Sequence, residues 1–193
     1  MTKQVAGAVG LVLAAGVAMV AMARDESPEA KLGFRVAHSE PGSNAWNAGK
    51  APADWHGEIE RCHGHVGPWN VLGWRIGQAA LRELKSEWGK HELEMVCYVP
   101  PQTPFTCLVD GLAVGTGNSQ GRLDLRMAEV LTREESFVAV RRKDEKGEVL
   151  EFRPEASYLK SIMDQPVAKL EALCQQCAKM PENKLFVVRR VVR

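Results

Sequence analysis

Residues 68–99 read PWNVLGWRIGQAALRELKSEWGKHELEMVCYV, and the periodicity of this stretch changes partway along it. Val71, Leu72, Ile76, Ala79, Ala80, Leu84 and Trp88 recur close to every 3.6 residues, the spacing of one buried helix face. Pro68 suits a first turn, where its missing N–H costs nothing, and Gly89 suits the exit, so the pattern predicts a helix over 68–88. Leu93, Met95, Cys97 and Val99 then alternate with Glu92, Glu94, Val96 and Tyr98, a period of two that predicts a strand stopped by Pro100-Pro101.

Downstream, Thr106 is a candidate N-cap for a short helix from Cys107 to about Val114, and a glycine-rich turn follows. Strands are predicted over 123–131 and 136–142, and a turn at Asp144-Glu145-Lys146-Gly147 leads to another strand over 149–152. Two helices, over 155–164 and 167–179, precede a closing strand over 185–192. Helices and strands do not alternate strictly and most strand links are short. The expected fold is therefore α+β, with an antiparallel or mixed sheet and helices packed mainly on one face, rather than a doubly wound parallel sheet.

Upstream, Lys3 precedes an uncharged run from Val5 to Ala23 that ends Ala21-Met22-Ala23 before Arg24. A positive start, an apolar run and a small-x-small end form a signal peptide, so residues 1–23 are expected to be removed on export. An uncleaved membrane anchor is the alternative, since the run is just long enough to span a bilayer. Residues 24–54 are polar and turn-rich and are expected to be a flexible linker, leaving 55–193 as the folded domain. The expected location is periplasmic or extracellular, an oxidising compartment.

Composition narrows the classes. The 193 residues are 45% hydrophobic with a formal charge of +1, too apolar for a disordered chain and too balanced for electrostatic nucleic-acid binding. Five cysteines, an odd number, leave at least one thiol that is free, bound to metal or paired between chains.

Cys62-His63-Gly64-His65-Val66-Gly67-Pro68 is the most unusual segment. Two imidazoles flank a glycine at the mouth of a helix, and imidazole is the commonest metal ligand near neutral pH. The same spacing also suits one histidine capping the helix and one in solvent. Cys107 and Asp110 lie one helical turn apart, a thiolate and a carboxylate that complement two imidazoles. Alone they suit better a buried thiol and an acidic partner for the helix dipole. Gly115 to Arg122 suggests a phosphate cradle but lacks the Gly-Lys-Ser/Thr ending of a P-loop, so a structural turn is the expectation. Trp55, Trp69, Trp74 and Trp88 are expected to form core and cleft wall. Cys174 and Cys177 have no second Cys-x-x-Cys to complete four ligands. Their spacing leaves a local disulfide, half of an intermolecular zinc site or two semi-buried thiols, with the disulfide favoured by export. Their place on a distal helix sets them apart from the histidines.

The stretch His63-Gly64-His65-Val66-Gly67-Pro68-Trp69 with Leu72-Gly73-Trp74-Arg75-Ile76-Gly77 resembles a signature of the formylmethanofuran dehydrogenase E-subunit family, His-Gly-His-Leu-Gly-Pro-aromatic…Leu-Gly-x-Arg-x-Gly. Pro100-Pro101, Thr106-Cys107-Leu108-Val109-Asp110-Gly111 and Thr116-Gly117 are similar to its second block. The resemblance covers about residues 55–142. It implies an α+β core with a His/Cys cleft, metal binding as in some members, and a site inherited by His63, His65, Cys107 and Asp110. Family members often add a C-terminal cysteine-rich zinc module, of which Cys174 and Cys177 would be a remnant. The chain departs from the pattern at Asn118-Ser119, where the family has Cys-Thr, and at Gly121-Arg122-Leu123-Asp124, where it has Gly-Lys-Gly-Asn. The lost cysteine argues against thiol redox chemistry.

The combined expectation is an exported metal-binding domain holding zinc or another divalent transition metal in a cleft of His63, His65, Cys107 and Asp110. If it turns over a substrate, Asp110 or Glu58 would be the general base. The alternative is a non-catalytic small-ligand-binding or assembly component of a redox system. The expected partner is a metal ion or small molecule, without nucleic acid. A second copy of the chain and a membrane reached through the N-terminal segment are the further candidates.

Overall fold

The computed structural model describes residues 50–144, 148–163 and 165–192. The expected signal peptide, the linker up to residue 49 and the turn residues 145–147 lie outside the described residues. Among those described, no helix is long and apolar enough to cross a membrane.

The described strands are β1 (Leu93–Val99), β2 (Leu125–Glu129), β3 (Phe137–Arg142), β4 (Glu148–Pro154) and β5 (Phe186–Val192). They form one sheet in the order β2-β1-β3-β4-β5. The helices are α1 (Trp55–His63), α2 (Pro68–Glu83), α3 (Cys107–Thr116), α4 (Ala156–Ile162), α5 (Leu170–Lys179) and the single turn α6 (Glu182–Leu185). β1 and β2 run parallel, with Met95 opposite Leu125, because α3 carries the chain across between them. The other pairs are antiparallel, with Val96 opposite Ala139 and Val140 opposite Leu150. The fold is α+β with a mixed sheet.

The alternation in β1 sets the layers. Leu93, Met95, Cys97 and Val99 join Leu72, Ile76, Leu108 and Leu112 in the main core, which also takes in Tyr158, Cys174 and Cys177 from the C-terminal helices. The opposite face carries a small cluster of Val96, Ala139 and Val149. Beside it Glu94 pairs with Arg126 at 2.6 Å and Arg141 at 2.9 Å. Helices thus pack against the face that carries the main core. Each fully buried aliphatic side chain of the core contributes about 1.5–3 kcal/mol.

The closest packing is between α2 and α3, and it brings two backbones together. A Cβ on Gly73 would lie 2.1 Å from the carbonyl oxygen of Leu108, and one on Gly111 would lie 1.9 Å from that of Asn70. Only glycine admits this approach, which fixes Cys107 and Asp110 against the start of α2.

Several boundaries differ from the sequence-based expectation. The first helix was not expected. Asp54, assigned to the linker, caps α1 by accepting from the Gly57 amide at 2.9 Å, so the folded domain begins before Trp55. α2 stops at Glu83 rather than Trp88, because Lys85 adopts a φ of +49° and the Ser86 amide turns back to the Leu81 carbonyl. Trp88 then leaves the α2 stripe and donates its indole N–H to Val114 of α3 at 2.8 Å. β2 begins at Leu125, not 123, because Leu123 has a φ of +61°. Thr106 has helical backbone angles and makes no side-chain cap. α3 instead grows out of preceding turns in which the Cys107 amide reaches Pro104 and that of Leu108 reaches Phe105.

Candidate functional site

The histidine segment is a sharp link between α1 and α2. Gly64, at φ +90°, closes α1 in the left-handed conformation, and its amide returns to the Glu60 carbonyl at 2.8 Å. The reversal sets His63, the last helical residue, beside His65, with ring centroids 4.8 Å apart. Two residues later Gly67 opens α2 in an extended conformation.

Asn70 joins this link to α3. Fully buried, it accepts from the Gly67 amide at 2.9 Å and donates to the Cys107 carbonyl at 2.9 Å. Both ends of its amide are thereby satisfied, and the start of α3 is tied to the loop that carries His65. Asp110, one turn into α3, is half exposed, and its Oδ2 lies 2.6 Å from His63 Nδ1. The structure thus places a carboxylate–imidazole pair at Asp110 and His63 with the His65 ring beside it. Cys107 lies at the start of the same helix, almost wholly buried. Burial, and after it the nearby Asp110 charge, pushes its thiol above the ordinary range.

Among the described residues, no three His, Cys, Asp or Glu side chains are grouped as a metal ion would require. The donor types suit zinc. His63 fits especially, because the carboxylate on Nδ1 fixes its tautomer and leaves Nε2 as the donor atom. The arrangement is a prepared pair rather than a closed four-ligand cage.

The other candidate base, Glu58, takes two hydrogen bonds from Arg61, at 3.0 and 2.6 Å. They hold its carboxyl below the ordinary range, which makes it a weak base. Cys62, which the motif spacing does not single out, faces the same space as Glu58 and Asp110. Its thiol lies 3.6 Å from Glu58 Oε1, and desolvation, with the Glu58 charge next, raises it. It therefore sits beside the dyad as a neutral thiol.

The cysteines of α5 correct two expectations. Cys174 and Cys177 are separate thiols rather than a disulfide, and at 1% and 0% exposure neither reaches the surface to share a metal with another chain. Nor is their helix remote from the histidines. α5 packs behind the histidine link, where the Cys174 thiol donates to the Val66 carbonyl at 3.4 Å. Tyr158 Oη donates to the Pro68 carbonyl at 3.2 Å and lies 3.0 Å from Cys177 Sγ. Arg75 fastens the end of α5 through the carbonyls of Cys177 and Ala178 at 3.0 and 2.7 Å. No local spacing in the sequence announces these long-range contacts.

The segment from Gly115 to Arg122 comprises the last residues of α3 and a structural turn after them, and the buried Asp124 organises the turn. Its carboxylate accepts from the Ser119 amide at 2.8 Å and from Arg122 Nε at 3.4 Å, and lies 3.0 Å from His91 Nδ1. Arg122 also donates to the Gly117 carbonyl. The groups that would meet a phosphate are occupied by the chain itself. Asn118 donates to the Leu93 and Asp124 carbonyls at 3.0 and 3.1 Å, tying the turn to β1 and to the start of β2. Trp69 meets Phe105 edge-on in the core, while Trp55 stacks on Trp74 at 4.1 Å and anchors α1 to α2.

A comparison with curated proteins gives no match. The family model described as "FmdE, Molybdenum formylmethanofuran dehydrogenase operon" matches residues 62–187. That span takes in both motif blocks and extends beyond residue 142 through α4, α5 and the start of β5, so the C-terminal third is part of the family fold. The chain belongs to the FmdE family.

Proposed function

We propose that this chain is an exported metal-binding domain whose cleft takes zinc or another divalent transition metal at His63, His65 and Cys107, with Asp110 behind His63. The observation that carries this reading is the 2.6 Å contact between His63 Nδ1 and Asp110 Oδ2. With the proton on Nδ1, the lone pair of Nε2 is free to bind a cation, and the carboxylate holds the ring in that orientation. Asp110 then acts through His63 and is not itself a ligand. His65 supplies the second nitrogen, beside the first. Cys107 supplies a sulfur donor by losing its proton to the incoming cation, whose charge offsets the burial and the Asp110 charge that otherwise hold the thiol protonated. When bound, the ion would supply a Lewis acid or an activated water.

Export is the second part of the proposal, and it rests on Lys3, the uncharged run over 5–23 and the Ala21-Met22-Ala23 site. Metal analysis of the secreted chain, purified without chelator or affinity-tag metal, tests the first part. About one equivalent of zinc-type metal per chain is expected for an open three-ligand site, and a metal-free protein that takes up no zinc on titration refutes it. Intact mass tests the second part: the secreted chain should begin at Arg24, and a membrane-bound chain retaining Met1 contradicts cleavage.

A further inference from the structure

We infer that the chain binds a compact organic ammonium ion in a cavity beside the dyad, its apolar body against Trp88 and its cationic head on Asp110. The cavity, about 210 Å³, lies where α1, α3 and the Trp88 turn meet. That is below the roughly 300–1,000 Å³ of sites for drug-sized molecules, so the occupant has about ten non-hydrogen atoms.

The two ends of the cavity differ in chemistry. Trp88, Ala113 and Val114 form an apolar wall, and the indole of Trp88 is fixed by its hydrogen bond to the Val114 carbonyl. Glu58, Cys62 and Asp110 form the polar end, and among the described residues no lysine or arginine lines the space. Asp110 is the decisive group. Its Oδ2 is taken by His63, while its Oδ1 makes no hydrogen bond to any described residue. Glu58 adds a second carboxylate, its charge answered in part by Arg61 from outside the lining. An apolar wall ending in two carboxylates complements an ammonium on a small hydrocarbon or aromatic body, and it repels an anion of the same shape. The inference does not depend on metal at the imidazoles, since the ammonium uses the carboxylate oxygen that His63 leaves free.

Isothermal titration of the full chain with phenethylamine, phenethyl alcohol and hydrocinnamate tests it, each probe run once with chelator and once with added zinc. The amine should bind with a submillimolar Kd in both conditions, the alcohol about tenfold more weakly or worse, and the carboxylate not measurably. Asp110→Asn should weaken amine binding by about tenfold or more, and Glu58→Gln by a smaller factor. Ala113→Phe should fill the cavity and abolish binding, with a thermal melt by circular dichroism confirming that the variant is folded. If it is not folded, the two carboxylate variants decide the matter alone. Equal binding of the three probes, no amine binding at millimolar concentration, or amine binding unchanged by both carboxylate variants overturns the inference. Amine binding seen only with zinc also overturns it, because the amine is then a ligand of the metal. Amine binding without any zinc uptake upholds it while removing the metal reading.

Discussion

The side-chain amide of Asn70 donates to the carbonyl of Cys107 at 2.9 Å across the α2–α3 contact, while its oxygen holds the Gly67 amide. This one buried side chain joins the two sequence motifs, which are otherwise far apart in the chain. Replacing it with Ala strands a buried amide and a buried carbonyl, at a cost of about 1–3 kcal/mol for each unsatisfied group. Urea unfolding of Asn70→Ala should show that loss, and zinc titration of the folded fraction should show weakened binding. Wild-type stability would mean that the bridge holds nothing.

Gly111 lies against the backbone of α2, where a Cβ would sit 1.9 Å from the Asn70 carbonyl oxygen. Gly111→Ala must push α3 away and disturb the dyad that α3 carries. A stability loss of about 3 kcal/mol is expected in denaturant, at the upper end for overpacking. Gly121→Ala, where an added Cβ meets nothing within 4 Å, should leave stability within about 0.5 kcal/mol.

The thiols of α5 make alkaline stability measurable. Burial pushes Cys174 up to about 12 and Cys177 up to about 11, from an ordinary value near 9. The folded chain then holds protons that the unfolded chain has released. The stabilisation is complete below about pH 9 and is lost as pH rises through 11 to 12. Unfolding midpoints taken from pH 8 upward should fall across that window, and a Cys174→Ala, Cys177→Ala double variant should give a flatter profile. Profiles of equal slope would contradict the burial of both thiols.

Tyr158 braces the histidine link through its hydrogen bond to the Pro68 carbonyl. Tyr158→Phe keeps the ring in the core and removes only the hydroxyl, for a loss of about 1 kcal/mol. The zinc affinity of the variant should fall several-fold with its far-ultraviolet spectrum unchanged, because the link loses its support from behind. An unaltered affinity would make the brace purely structural.

Much of this architecture is legible in local sequence. The strand over 93–99 and the helix starting at Pro68 follow from periodicity, because apolar side chains recur on the face that each turns to the main core, and Pro68 opens the helix while Pro100 follows the strand. Cys107, Asp110 and the histidines stand out by motif and spacing. What is not legible depends on distant partners. α1 has a weak apolar stripe and a glycine at its third position, and it is held by Asp54, by Ile59 and by stacking of Trp55 on Trp74. The placement of α5 behind Val66 and Pro68 arises from contacts about a hundred residues apart in sequence, which no window of the chain encodes. The role of Asn70 is hidden because an asparagine in the first turn of a helix reads as local capping.

Zinc titration of the parent and of His63→Ala, His65→Ala, Cys107→Ala and Asp110→Asn, with Kd as readout, tests the central claim most directly. The account predicts tight binding by the parent and near-complete loss in the three variants that remove a donor atom. For Asp110→Asn it predicts a weakening of about 10–100-fold, as expected when a carboxylate orients a ligating imidazole. Parent-like affinity in all four variants, or a parent that binds zinc no tighter than millimolar, would contradict it.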